Sequence, residues 1–304
     1  MSWVVYALVA SALWSITNHI DKYILGRFFK GSGKGAVLIF ISLVSFFVLP
    51  LVLITDHSVL QIDPLHALII FCSGIIYMIF LLPYMFALSM DEASVVIPMF
   101  QLIPVFTFIL GYFFLGERLN NIQILASLII IAGAIGISLE FGKKVVFKKQ
   151  VVLLMLLASL LYSLNSFLFK AVAVQENFSK TLFWEYTGIT AAGLAIFLFY
   201  KPYRKQFLYV LGNNKVSILS LNTLNETLAI IARASFEFAT LMAPLALVWV
   251  VNGFQPVFVF GFGIILTLLL PKFVKEDLSA RMLLQKGLFI LLITAGAVLL
   301  GVSS

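Results

Sequence analysis

"PVFTFILG", residues 104–111, returns 152 positions later as "PVFVFGFG", residues 256–263. Upstream of each copy, in the same register and with no gap, stand "YMFALSM" (84–90) and "FEFATLM" (236–242). Two blocks in one register point to a duplicated unit, and the match extends outward. Shifted by 148, Ser11, Ser15, Asn18 and Lys22 fall on Ser159, Ser163, Ser166 and Lys170, and Leu13-Trp14-Ser15 falls on Leu161-Tyr162-Ser163. Spacings of 4, 3 and 4 set those polar positions on one helical stripe in each copy. "IAGAIG" (131–136) is matched by "TAGAVL" (294–299) at a shift of 163, which implies about eleven extra residues before the last segment.

The medium is lipid. Of the 304 residues, 62% are hydrophobic and 11% charged, against about 25% charged in soluble domains; too little polar surface remains to cover a water-soluble globule. Apolar segments near spanning length fall at 3–22, 35–55, 65–88, 93–115, 121–140, 151–172, 181–200, 216–240, 243–270 and 282–303. The basic stretch "FGKKVVFKKQ" (141–150) links two sets of five. Because five is odd, two such copies must sit in the membrane with opposite orientation. The fold expected is therefore all-α and integral to the membrane: ten transmembrane helices as two inverted five-helix repeats, 1–145 and 146–304. The start "MSWVVYALVASALWS" lacks the basic flank of a cleavable signal peptide, and a single cysteine, Cys72, excludes an intrachain disulfide.

The net charge of +7 reads as a topology signal, not as a nucleic-acid surface. With Lys22, Lys170 and Arg233 set aside as lying within helices, the loops after segments 1, 5, 7 and 9 hold fifteen Lys and Arg. The loops on the other side hold Arg118 and Lys180. The positive-inside rule places the fifteen in the cytoplasm and both termini outside.

Segments 3 to 5 carry an "A-L" ending the third, a proline within the fourth, "LGERL" (115–119) at its end, and Gln123 opening a Gly/Ala-containing fifth; the first carries "LWS" (13–15). In these features the chain resembles the ten-helix EamA-type branch of the drug/metabolite transporter superfamily. "LLLPKFVKEDLSARMLLQ" (268–285) departs from it where a second "GE" belongs. The resemblance implies a secondary transporter of the plasma membrane moving small metabolites or drugs between two five-helix halves. It also implies cytoplasmic termini, against which the loop charges weigh. Phosphate-binding Gly loops, metal-spaced Cys/His sets and Gly-x-Ser-x-Gly nucleophile turns are absent from the sequence, so no catalytic residue, cofactor or metal is expected. The alternatives are an intramembrane enzyme or lipid-handling protein, and a channel.

The eighth segment concentrates the polar groups. Asn222, Asn225, Glu226, Arg233, Glu237 and Thr240 share about 120° of its arc, with Ala229 leaving room in the middle. The corresponding face of the third segment is nearly apolar, so the charges are no packing requirement. Intramembrane charges are costly and mark solute paths; the face is read as lining a solute cavity. Arg233 is expected to pair with Glu237 at i,i+4 and to hold an anionic group of the solute, while Glu226 or Glu237 takes a cationic group or a coupling proton. Ser15, Asn18, Ser163 and Asn252 complete the expected substrate-binding set. Lys22 and Lys170 are expected to snorkel to an interface, and His19 with Asp21, beside Asn18, stands between a proton-handling group and an ordinary solvated pair. Glu185 stands between a headgroup contact and the cavity. Pro104 and Pro256 are expected to kink their helices. The partners expected are a small polar or amphipathic solute such as an amino acid, membrane lipids and protons, with monomer and homodimer both open.

Overall fold

In lipid the backbone must satisfy its own hydrogen bonds, so apolar segments of this length form helices. The computed structural model describes residues 2–28, 36–90, 96–138, 148–269 and 279–302, and these contain no strand. The helices are α1 (Ser2–Phe28), α2 (Val37–Phe46), α3 (Val48–Thr55), α4 (Pro64–Met90), α5 (Leu102–Phe114), α6 (Asn121–Ser138), α7 (Lys149–Ala173), α8 (Phe178–Phe199), α9 (Lys201–Met242), α10 (Leu245–Val251), α11 (Gln255–Leu269) and α12 (Ala280–Val302). Among the described residues seven helical stretches are long and apolar enough to cross a membrane, and Met99–Phe114 and Asn121–Gly136 are shorter apolar ones. Large side chains such as Leu51, Ile54, Phe113, Phe114 and Leu268 stay exposed on the outside, a surface suited to lipid. The protein is a multi-pass membrane protein. Most of the basic linker, Lys30, Lys34, Lys143, Lys144, Lys272, Lys275 and the junction of the two expected repeats lie outside the described residues.

The helices differ from the sequence reading in three ways. The second segment is interrupted at Phe47, between α2 and α3. The fourth and ninth each contain a 3₁₀ turn, Ile97–Gln101 and Asn252–Phe254, ahead of the matched prolines. Pro104 and Pro256 therefore stand in the first turn of α5 and α11, where a missing N–H goes unneeded. The tighter turn also serves the carbonyl that Pro256 leaves without its helical donor: Gln255 N–H reaches Asn252 O. The third difference is α9. Its 42 residues span about 63 Å at 1.5 Å each, roughly twice a bilayer core. Lys201, Arg204 and Lys205 thus stand on a helical extension and not in a loop. Phe207 and Val210 anchor it: both are buried, with the Phe207 ring 4.5 Å from Phe40 and 5.9 Å from Phe197.

α1 packs along α9, α4 along α7 and α8, and α2 on α8; α5 packs on α7 and α10, α11 on α1, and α6 on α12. The α4–α8 crossing is in backbone contact. A Cβ on Gly74 would meet the Glu185 carbonyl, and one on Gly188 would meet the Phe71 carbonyl, the close approach that small residues permit between membrane helices. The buried apolar side chains form two clusters, one centred on α2, α4, α7 and α8, the other on α6, α10 and parts of α1, α9 and α12. Phe100 and Tyr162 pack against both.

Candidate functional site

Where the two clusters meet lies a cavity of about 100 Å³. One wall is aromatic. Trp14 and Trp249 stack with centroids 6.3 Å apart, Tyr162 meets Trp249 edge-on at 4.9 Å, and Phe80 stacks on Tyr162 at 4.4 Å. The polar lining comes from one stripe of α1 (Asn18, Asp21) and one of α9 (Asn225, Glu226), with Ala229 also bordering the space. Asn225 Nδ2 donates to Asp21 Oδ1 at 2.7 Å, tying the stripes together. Asn225 is 2% exposed, and among the described residues neither its Oδ1 nor the buried Asn18 Nδ2 has a hydrogen-bond partner. Asn252 also lines the cavity; it accepts from Ser11 Oγ at 2.8 Å and donates to Gln255 Oε1 at 3.1 Å.

Of the expected substrate-binding set, Glu226, Asn225, Asn18 and Asn252 thus share one cavity. Asn222, Ser15 and Ser163 are buried away from its lining. The two serine hydroxyls are used on backbone: Ser15 donates to the carbonyls of Ser11 and Gln255, Ser163 to those of Ser159 and Ile103. Asp21 is a lining residue that the reading as a solvated pair with His19 passed over; His19 Nε2 instead meets the Val259 carbonyl at 3.1 Å.

The Arg233–Glu237 pair is corrected. Arg233 Nη2 donates to Glu185 Oε1 at 2.7 Å and to Asn165 Oδ1 at 3.1 Å, and its guanidinium lies 3.7 Å from the Tyr77 ring centroid. Asn165 in turn donates to Glu185 at 2.7 Å and to the Ser73 carbonyl at 3.1 Å. Glu185 meets neither headgroups nor the cavity; it is fully buried as the counter-ion of Arg233. The backbone contact at Gly74 and Gly188 brings it there, since it sets α8 directly against α4. Glu237 is 1% exposed, and neither of its carboxyl oxygens has a hydrogen-bond partner among the described residues. Arg233 prefers Glu185 because a charge-assisted bond inside a network outweighs an exposed-helix i,i+4 contact.

Lys170 is the second correction, for it does not snorkel. Gly116, at φ 67°, ends α5 and turns Glu117 back so that its N–H reaches the Gly111 carbonyl. Glu117 Oε1 then takes Lys170 Nζ at 2.5 Å, and Oε2 accepts the Leu245 N–H at 2.9 Å. Lys170 also donates to the Ala243 carbonyl at 2.6 Å. The clasp joins the ends of α5 and α7 to the α9–α10 connection. Lys22, its counterpart in the first copy, is exposed.

Residues 1–139 match the model of the EamA-like transporter family. No curated protein matches the chain. A solved structure described only as "Crystal structure of protein" is similar to it, with a TM-score of 0.70 and 16% identity over 98% of this chain and 96% of that one; at that identity the likeness shows the fold alone. The apolar helices make the protein a multi-pass membrane protein, and its first 139 residues, with "LWS" and "LGERL" among them, are similar to the EamA-like transporter family, consistent with the EamA-type branch of the drug/metabolite transporter superfamily.

Proposed function

We propose that the chain is a secondary transporter built of ten transmembrane helices in two inverted repeats, 1–145 and 146–304. In this reading it carries a small polar or amphipathic metabolite by alternating access. The observation that carries the reading is the cavity, which sits where the two halves meet and is bordered by unpartnered polar atoms of Asn18 and Asn225. Contacts that recur in both halves support the duplication. Ser15 donates to the carbonyl preceding Pro256, and Ser163 to the carbonyl preceding Pro104. α1 lies along α9 as α7 lies along α4, and α11 packs on α1 as α5 packs on α7.

The polar wall is formed where α1 finishes and the spanning part of α9 begins, whereas the Lys170–Glu117 clasp closes the opposite end. With the basic loops in the cytoplasm and both termini outside, the cavity faces inward, at the plasma membrane. Glu226, Asn225, Asn18 and Asn252 contact the solute; Arg233, Glu237, Asn222, Ser15 and Ser163 support the helices behind it. The protein acts as a carrier and not an enzyme, with the solute, lipids and a coupling proton as its partners. A solute panel in proteoliposomes, with and without a pH gradient, tests this: saturable uptake or exchange is expected, and its absence for every solute overturns the transporter reading. A C-terminal reporter found in the cytoplasm overturns the orientation alone.

A further inference from the structure

Among the described residues, the charged side chains that line the cavity have one sign. Asp21 and Glu226 line it, and no Lys or Arg stands among its lining residues. Arg233 lies against the ring of the lining residue Tyr77 but is paired with Glu185, so its charge is already matched. The carboxylates share the space with the buried Asn225 Oδ1, an acceptor without a partner among the described residues. The same cavity is lined by Trp14, Tyr162 and Trp249, aromatic side chains of the kind that attract a cation and shelter an apolar body. A solute carboxylate here would meet two like charges and no donor of positive charge, at a cost that such juxtaposition carries in any desolvated site.

We propose that the cavity takes an organic cation, an alkyl or aryl ammonium whose charged nitrogen sits between Asp21 and Glu226 beside Asn225 Oδ1 and whose apolar body lies among Trp14, Tyr162 and Trp249. The proposal rests on this cavity being the solute site, and it narrows the zwitterion-like solute read from the helix alone: the carboxylates are in the cavity and the arginine is not. The cation brings the positive charge that the lining lacks, and Ala229 is the smallest side chain of that lining.

Two of the four tryptophans line the cavity, so binding has an intrinsic reporter. The full chain in detergent is titrated with benzyltrimethylammonium, with its neutral tert-butyl carbon isostere and with benzenesulfonate, following tryptophan fluorescence. The cation is expected to give a saturable change, with the neutral isostere weaker by about tenfold or more and the sulfonate weaker still. Asp21→Asn and Glu226→Gln each weaken the cation by about tenfold and leave the isostere unchanged, whereas Trp184→Phe, outside the cavity, leaves both titrations as they are. Equal affinity for isostere and cation, or preference for the sulfonate, overturns the proposal on the unmodified chain, whether or not either variant folds. Proteoliposome uptake separates this from the transporter reading. An anion carried while the cation neither binds nor moves sinks the proposal alone; a cation that binds without any solute being carried leaves the proposal and sinks the transporter.

Discussion

α9 holds two polar stretches less than three turns apart that do opposite things. Around Asn225 and Glu226 the side chains border open space, with an unused acceptor among them. Around Arg233 they are packed into protein, with Glu185, Asn165 and Tyr77 supplied by three other helices. A polar stripe on a membrane helix is therefore not one site. Whether a charge serves solute or structure depends on what the neighbouring helices bring opposite it, here Ala229 and an opening at one level and a Gly–Gly crossing at the other.

The largest effect is expected from breaking the packed stretch. Arg233→Ala leaves Glu185 buried without its counter-ion, a loss of about 3–5 kcal/mol for a pair broken from one side, and the chain should lose its monodisperse peak and much of its melting temperature in detergent. Adding Glu185→Ala should recover most of that stability, whereas adding Glu237→Ala should not, because Glu185 and not Glu237 holds the arginine. Recovery by the Glu237 change would return the pair to the i,i+4 arrangement.

Ala229→Phe tests the open stretch. The ring enters the cavity without removing any hydrogen bond, so the variant should keep its melting temperature to within what about 0.5 kcal/mol allows. Uptake of every solute that the unmodified protein carries should fall to background. A variant that melts early would mean that Ala229 is a packing residue and that the two stretches are alike after all.

The levels of α9 were legible to different degrees, and the reason is distance along the chain. The apolar helices follow from apolar run length, and the register of the proposed duplication pairs Pro104 with Pro256 and Ser15 with Ser163 from the sequence alone. The cavity half of the stripe could also be read, since Asn225, Glu226 and the small Ala229 sit on one arc. The partner of Arg233 could not. Pairing at i,i+4 is the only charge contact that one helix can specify by itself, and the true partner lies 48 residues away on α8. The signal that was present is the glycines: Gly188 follows Glu185 by three residues and Gly74 precedes Tyr77 by three, so a backbone crossing there puts both beside α9. Likewise "LGERL" carried the resemblance as a motif, while its chemistry, Gly116 turning Glu117 onto Lys170, needs an αL turn and two other helices.

The clasp extends the comparison to the two ends of the bundle. Lys170 is paired and Lys22 is exposed, although the proposed duplication matches their positions. Lys170→Met should loosen the closed end by about 1.5–3 kcal/mol, the range for hydrogen bonds to charged groups. In a Cys72→Ser background carrying Tyr162→Cys, labelling by a membrane-impermeant thiol reagent from that side should speed up several-fold. Lys22→Met should leave the rate unchanged; equal effects of the two lysines would show that the ends are equivalent and the clasp incidental.

The smallest effect is expected outside the membrane, where a charge has water as an alternative to its partner. Glu176, in the α7–α8 connection, accepts from His66 Nδ1 at 2.9 Å, from Lys180 Nζ at 3.0 Å and from the Asp63 N–H at 3.2 Å, fastening the start of α4 to the start of α8. The hydrogen bonds from His66, Lys180 and Asp63 hold its carboxyl down, from 4.5 to about 2. A carboxyl depressed in the folded state contributes stability that is complete above its unfolded value and fades as pH falls towards the folded one. The contribution should therefore be constant from neutral pH to about 5 and decline from there towards 2. Glu176→Gln should lower the melting temperature slightly at pH 7 and by less at pH 3, so that the curves of the two proteins converge on acidification, with uptake unchanged at pH 7. Ties open to water contribute little and are screened by salt, so added salt should narrow the same gap. Curves that stay parallel from pH 7 to pH 3 would mean that the carboxylate's charge contributes nothing there. Glu176 would then resemble the packed level of α9 only in its geometry and not in its energetics.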